Sequence, residues 1–294
     1  DPLVSPARAP VRADQRAASG NTGREIRMLR QRVLTALLLL AVLGAALFAL
    51  PVSAWWLFCS ALGLFAAWEW GGLAGLTAAS RWSYATGLAV AIAAACFITN
   101  PIIDVALFAL SGIFWTAVVP AWLRERWRLG QGLMGLALGM LVIVPAALAL
   151  ARLREHSPWF LLAVMAIAWV ADICAYFGGR AFGRNKLAPS ISPGKSWEGV
   201  WSGTLGALIY AILVFVFGIP VIPARLGWMI ALFLVVLLTA LSIEGDLFES
   251  LLKRQAGIKD SSNLLPGHGG VLDRIDSLTS ILPLVALWAL VWTA

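Results

Sequence analysis

The sequence is poor in charge. Only 13% of its 294 residues are Asp, Glu, Lys or Arg, about half the share that is usual in a soluble globular domain. Hydrophobic residues make up 61%, and the mean hydropathy is +0.86. A soluble fold cannot bury that much apolar surface, so the composition excludes one and indicates a chain embedded in lipid.

Cysteine is also scarce. Cys59, Cys96 and Cys174 each lie in an apolar stretch, and no two form a CxxC pair. This pattern argues against disulfides and against a thiolate metal site, and we interpret the three as small core side chains.

The net charge of +7 does not indicate a nucleic-acid partner. The basic residues stand between apolar runs, where anionic lipid and membrane topology account for them. With the N-terminus inside, only Arg152, Arg154 and Arg225 of the 22 Lys and Arg residues fall outside. The positive-inside rule therefore predicts a cytoplasmic location for two polar loops, 178–198 and 244–277.

Long apolar segments dominate the chain. Each is long enough for one helical crossing, and they lie at 33–50, 52–68, 82–99, 105–123, 133–151, 159–177, 200–222, 226–243 and 278–294. We therefore expect an all-α polytopic membrane protein with about nine transmembrane helices. The expected divisions are a disordered basic tail (1–27), a first region of about five helices (28–151) and a second of about four (152–294), with Met28 as a possible natural start.

The segment 244–277 holds most of the candidate chemistry. Asp246, Glu249, Ser250, Lys253 and Arg254 fall on one face of a helix that continues the eighth span. Such a face suits a metal-bound phosphate chain, and it equally suits a solvated amphipathic helix.

A glycine-rich turn, Pro-Gly-His-Gly-Gly at 266–270, follows this helix. Glycines allow backbone N–H groups to approach phosphate oxygens. Asp273 and Asp276 then begin the ninth helix on one face, where the helix dipole alone could explain them. Together with Asp246 across an antiparallel helix pair, however, they favour a magnesium site.

A second polar patch begins at Asp172, a carboxylate within an apolar run, where charge is costly and usually functional. It continues to a Gly-Lys-Ser triplet at Lys195 and Ser196. A P-loop is excluded because Pro189 stands where its first glycine belongs and no strand is expected before it. The patch suits either a triphosphate or a plain topology loop.

Other polar residues give weak signals. We interpret Glu69 as an interfacial residue and His156 as a solvated residue of an outer loop, together with Arg152 and Arg154. Asn100 and Asp104 are expected to mark an outer turn.

The motifs of these two patches resemble those of the CDP-diacylglycerol synthases. The stretch 250–276 matches the signature S-x-x-K-R-x4-K-D-x-S-x2-L-P-G-H-G-G-x-x-D-R-x-D and departs from it nowhere. The blocks 172–187 and 192–199 are similar to two upstream blocks of that family. The resemblance extends from Met28 to the C-terminus.

The resemblance implies transfer of a cytidylyl group from CTP to phosphatidate, with release of pyrophosphate. It implies Mg²⁺, with a monovalent cation such as K⁺ as a further candidate, held by Asp246, Asp273 and Asp276. It also implies catalytic roles for Lys253, Arg254, Lys259, Asp260 and His268, and substrate contacts for Asp172, Lys195, Ser196, Ser250, Gly269 and Gly270.

The expected partners are CTP, phosphatidate and membrane lipids, without nucleic acid, and a homodimer is left open. The expected location is a bacterial inner membrane with the site facing the cytoplasm. Three alternatives compete. A CDP-alcohol phosphotransferase would need a second aspartate pair after Asp276, and the sequence has none there. A CTP-dependent lipid kinase would release CDP instead of pyrophosphate. A transporter or scaffold would leave the charged loop without a role.

Overall fold

The computed structural model describes residues 30–31, 33–217 and 227–293. The predicted tail, Met28 and Arg225 lie outside this part of the chain. So do residues 218–222 of the seventh predicted span, residue 226 of the eighth and residue 294 of the ninth. The described residues form α1 (Val33–Ala49), α2 (Val52–Leu73), α3 (Ala78–Phe97), α4 (Pro101–Ile113), α5 (Val119–Glu125), α6 (Leu133–His156), α7 (Pro158–Phe182), α8 (Trp197–Val216), α9 (Gly227–Gln255) and α10 (Leu272–Thr293).

The helices confirm the predicted all-α membrane fold. Seven of the described helical segments are long and apolar enough to cross a bilayer, and α1 is a shorter apolar helix. One of the seven is Pro101–Glu125, in which a π-helical turn, Phe114–Val118, joins α4 to α5. Within the described residues, eight of the nine predicted apolar segments each overlap one helix. The remaining segment, 105–123, overlaps the α4–α5 unit.

Short polar residues determine where several helices start. The side chains of Asn100 and Ser157 accept hydrogen bonds from the first turns of α4 and α7, and proline follows each of them at the first helical position. Thr77 and Ser196 cap α3 and α8 in the same way. Such caps satisfy N–H groups that have no partner within the helix.

Small residues bring α7 and α8 into close contact. A Cβ atom added at Gly203 would lie 2.8 Å from the carbonyl oxygen of Ala171, and one at Gly199 would lie 2.9 Å from that of Ala175. Close backbone approach through small residues is typical of helix pairs in membranes. It places the start of α8 beside the end of α7.

The connection between α7 and α8 contains a hairpin that the sequence did not predict. Strands β1 (Lys186–Ala188) and β2 (Ser192–Ser196) pair antiparallel, with Lys186 opposite Ser196. Glu198 accepts hydrogen bonds from the backbone and side-chain nitrogens of Asn185, which closes the base of the hairpin. The expected loop 178–198 is therefore the end of α7 followed by this hairpin.

Two arginines hold together one end of the helix bundle, which we call the distal end. Arg154 donates to the carbonyl oxygens of Leu47 (2.8 Å) and Leu50, at the end of α1. Arg152 pairs with Asp104 at 2.8 Å and donates to Ala95 O at 3.0 Å, at the end of α3. Helix C-termini carry unpaired carbonyls and partial negative charge, which these cations satisfy.

The prediction of an outer loop at residues 152–156 was therefore wrong, whereas the prediction that His156 is solvated was right. Residues 152–156 form the last turns of α6, and Arg154 is buried because it serves the end of another helix. His156 itself is exposed, as predicted. Asn100 and Asp104 lie at the start of α4, where Asp104 is buried by its pairing with Arg152.

Candidate functional site

The predicted site residues lie at the opposite end of the bundle, which we call the motif end. Here α9 continues to Gln255 and α10 begins at Leu272, as the sequence predicted. The loop 256–271 joins the two helices. The predicted polar face of α9 is divided, because Asp246 and Ser250 are half-buried whereas Glu249 and Lys253 are buried.

Three carboxylates from three helices form what we call the carboxylate cluster: Asp172 of α7, Asp246 of α9 and Asp276 of α10. Asp246 lies within electrostatic range of both others. Lys195 of β2 is 2.6 Å from Asp246 Oδ2, and Ser250 Oγ donates to Asp246 Oδ1 at 3.2 Å. The upstream patch and the C-terminal motif, separate in sequence, thus meet at one place.

Asp273 does not share the surroundings of Asp246. Its Oδ1 lies 2.5 Å from Lys253 Nζ. Its Oδ2 accepts from the backbone nitrogens of Ser261 (2.9 Å) and Gly270 (2.7 Å) and from the Ser261 hydroxyl (2.9 Å). Both oxygens of this buried carboxylate are therefore engaged in holding the loop 256–271.

Lys253 is the cation of this buried group. Its ammonium lies 3.0 Å from Glu249 and contacts Asp273, so it is shared between two buried carboxylates. A buried charge is tolerated when it is paired in this way. The predicted catalytic residue Lys253 thus has a direct role in the packing of α9 against α10.

The glycines of the loop have contacts of their own. Gly269 adopts a φ of +80°, and a Cβ atom there would lie 2.7 Å from Asp273 Oδ2. A Cβ atom at Gly270 would collide with the Ser261 hydroxyl and the Glu69 carboxylate. The Gly270 N–H donates to Asp273 Oδ2 at 2.7 Å, so this backbone donor is already engaged within the protein.

Glu69 of α2 is the residue that sequence reasoning missed. It is 0% exposed, so its interpretation as an interfacial residue was wrong. Its carboxylate accepts hydrogen bonds from Ser261, Ser262, Val271 and Leu272. The signal was present, since a carboxylate in an apolar segment is costly without partners, the argument that singled out Asp172.

The other predicted residues lie around the loop. Arg254, Lys259 and Asp260 are exposed, and Arg254 donates to Ile258 O at 3.4 Å. His268 is half-buried, and its Nδ1 has no hydrogen-bond partner within the described part of the chain. Ser196 is buried as the cap of α8, accepting from Gly199 N at 3.2 Å.

The donor chemistry of the carboxylate cluster fits a hard divalent cation. Among residues 33–217 and 227–293, no three His, Cys, Asp or Glu side chains are grouped so that they could hold a metal ion by themselves. Magnesium commonly takes only one or two carboxylates and completes its shell with water and substrate phosphates. Asp246 and Asp276 suit that mode, and assignment of the ligands remains a prediction.

Carboxylates, a lysine and a glycine-rich loop lie at one end of a bundle of apolar helices, which together define a membrane protein with a polar site at that end. A family model described as the cytidylyltransferase family matches residues 30–292, and the chain belongs to that family. A protein of Pseudomonas aeruginosa called phosphatidate cytidylyltransferase is 42% identical over an alignment of 280 residues, which covers 91% of this chain and 100% of that one.

Proteins of the same name from two other bacteria match over shorter stretches. The protein of Haemophilus influenzae is 45% identical over 159 residues, 51% of this chain and 55% of its own. The protein of Brucella suis is 40% identical over 173 residues, 58% and 62% respectively.

Proposed function

We propose that this chain transfers the cytidylyl group of CTP to phosphatidate, giving CDP-diacylglycerol and pyrophosphate for phospholipid synthesis. The observation that carries the proposal is the similarity, over 91% of the chain, to a protein named phosphatidate cytidylyltransferase. The carboxylate cluster supports it, because the cluster joins Lys195 of one motif block to Asp246 and Asp276 of the other.

The position of the cluster suits one substrate from water and one from lipid. Asp172 is exposed on α7, and the apolar side chains of Ile173 and Tyr176 beside it are 57% and 60% exposed. A lipid could lay its chains along this apolar surface and present its phosphate to the cluster. The hairpin reaches the cluster through Lys195, and a soluble nucleotide would enter from that side.

The carboxylate cluster and the neighbouring Lys195 would bind different parts of the substrate complex. Asp246 and Asp276 would hold Mg²⁺, with K⁺ as a further candidate cation. A bound magnesium ion would offset the negative charge of the triphosphate and of the leaving pyrophosphate. Lys195 offers a flexible point charge for a phosphate oxygen, and its ion pair with Asp246 keeps it at the cluster.

No strong general base is needed for the reaction that we propose. The phosphate monoester of phosphatidate is already ionised near neutral pH, so its oxygen attacks the α-phosphorus of CTP directly. The task of the protein is then positioning and charge stabilisation, as in other phosphoryl-transfer enzymes. A site made of aspartates and lysines, with one histidine at its border, is consistent with that task.

We place the site on the cytoplasmic face of a bacterial inner membrane, because CTP is a cytoplasmic solute and the basic residues favour that side. The proposed activity is tested by incubating purified protein with phosphatidate and each labelled nucleoside triphosphate. We expect CDP-diacylglycerol and pyrophosphate from CTP. Release of CDP with transfer of the γ-phosphate to a lipid would establish the lipid kinase instead, and absence of CDP-diacylglycerol and pyrophosphate would contradict the proposed transfer.

A further inference from the structure

We infer that Glu69 is a positioning residue, which holds the loop 256–271 and the start of α10 in the arrangement that the reaction needs. This inference rests on the proposed function. Glu69 lies in α2, almost two hundred residues before the loop, and outside every motif that the sequence displays. The role that we infer for Glu69 rests on a set of hydrogen bonds that form only in the folded chain.

The Glu69 carboxylate is bound in a symmetric way. Oε1 accepts from Ser262 Oγ at 2.6 Å and from Val271 N at 2.9 Å. Oε2 accepts from Ser261 Oγ at 3.0 Å and from Leu272 N at 2.7 Å. Each oxygen thus takes one hydroxyl and one backbone N–H, and a carboxylate, which can only accept, suits four donors.

These donors come from both arms of the loop. Ser261 and Ser262 lie soon after α9, whereas the N–H groups of Val271 and Leu272 lie at the start of α10. One side chain therefore joins the departing and the returning arm. It also satisfies N–H groups at a helix N-terminus, where negative charge is favoured.

Glu69 and Asp273 hold the loop jointly. The Ser261 hydroxyl lies 3.0 Å from Glu69 Oε2 and 2.9 Å from Asp273 Oδ2. Because a hydroxyl has a single proton, it serves one carboxylate at a time, and the backbone N–H groups supply the remaining bonds. The stretch between these anchored points carries His268 and Gly269, and Asp276 follows one helical turn after Asp273.

A displaced loop would move the groups that bind phosphate without removing any of them. A shift of about 1 Å in a reacting geometry can cost on the order of a hundredfold in rate. Glu69 does not reach the carboxylate cluster with any hydrogen bond that the structure describes, so its effect on the reaction passes through the loop and α10.

The test compares Glu69→Gln with the unchanged protein. Whichever way the amide is turned, its NH₂ group faces Val271 N–H or Leu272 N–H, and that backbone donor loses its acceptor. We expect hydrogen–deuterium exchange of the loop 261–272 to rise about tenfold, the change that 1.36 kcal/mol produces. We expect kcat for CDP-diacylglycerol to fall by about ten- to a hundredfold, with a smaller change in KM for CTP.

Two further variants separate positioning from general stability. Ser262→Ala removes the hydroxyl that donates to Glu69 Oε1 and accepts from Leu264 N. It should loosen the same loop to a smaller degree, because the two bonds from backbone N–H groups to Glu69 are kept. Asp104→Asn is the matched control, because Asp104 is, like Glu69, a buried carboxylate, but it pairs with Arg152 at the distal end. It should leave exchange of the loop and KM for CTP unchanged.

Unchanged exchange and kcat in Glu69→Gln would overturn the inference. So would an exchange increase of equal size along the whole chain, or the same loop-specific increase in Asp104→Asn, since Glu69 would then be a general stabiliser. An unchanged protein that protects the loop but forms no CDP-diacylglycerol would refute the proposed function alone, because exchange measures the anchor without any substrate.

Discussion

Replacing the three motif aspartates one at a time should give two different results. Asp246→Asn and Asp276→Asn each remove a negative charge from the carboxylate cluster. A metal ion that offsets transition-state charge contributes several kcal/mol, and each 1.36 kcal/mol is tenfold in rate. We therefore expect turnover to fall on the order of a hundredfold or more, together with a higher magnesium concentration for half-maximal activity.

Asp273→Asn should lower activity by destabilising the loop 256–271, without changing the metal requirement. Its carboxylate contacts Lys253 on one oxygen and three donors on the other, and an amide NH₂ must face one of these sides. An unsatisfied buried donor costs about 1–3 kcal/mol, and more beside a charge. We expect a lower thermal unfolding temperature and a looser loop 256–271, with the magnesium dependence close to that of the unchanged protein.

The measurements are turnover against magnesium concentration and thermal unfolding for all three variants. Glu125→Gln is a suitable control, because the Glu125 side chain is 58% exposed and its ion pair is with the neighbouring, exposed Arg124. Glu249→Gln would be unsuitable as a control, because Glu249 is buried and its carboxylate lies 3.0 Å from Lys253 Nζ.

Either of two outcomes would refute this division. If Asp273→Asn raised the magnesium requirement as much as Asp246→Asn at unchanged thermal stability, Asp273 would be a metal ligand. If Asp246→Asn and Asp276→Asn kept near-normal turnover and magnesium dependence, these carboxylates would be helix-end charges alone.

Three further predictions concern other parts of the molecule. Lys195→Ala should raise KM for CTP more than KM for phosphatidate, because the ammonium serves the triphosphate; steady-state kinetics showing only a lipid effect would assign the hairpin to phosphatidate. Ser190→Cys and Asn263→Cys, both at exposed positions, should react with a membrane-impermeant reagent in inverted vesicles and resist it in intact cells; labelling of both from outside would overturn the topology. Arg154→Ala should lower the thermal unfolding temperature, since two charge-assisted bonds of about 1.5–3 kcal/mol each are lost at the end of α1, and a changed KM for CTP would contradict its distal, structural role.

The helices and their order could be predicted from the sequence because hydropathy acts locally. A run of about 20 apolar residues must satisfy its backbone bonds within one helix when lipid surrounds it. The continuation of α9 past the apolar run and the start of α10 near Asp273 were also predicted correctly, from side-chain spacing. The hairpin Lys186–Ser196 was not predicted, since its short strands contain a proline and a glycine and little alternation.

The sequence alone thus determined the membrane class, the helix order and the residue types of the site, which depend on composition and local spacing. Only the tertiary structure decided which of those residues join the carboxylate cluster and which hold the loop 256–271. Packing of α7, α9 and α10 joins Asp172 to Asp246 and Asp276, whereas Asp273, only three residues before Asp276, is committed to Lys253 and the loop. Glu69 of α2 enters the site region because a buried carboxylate needs donors, and the donors that it takes belong to a loop distant in sequence.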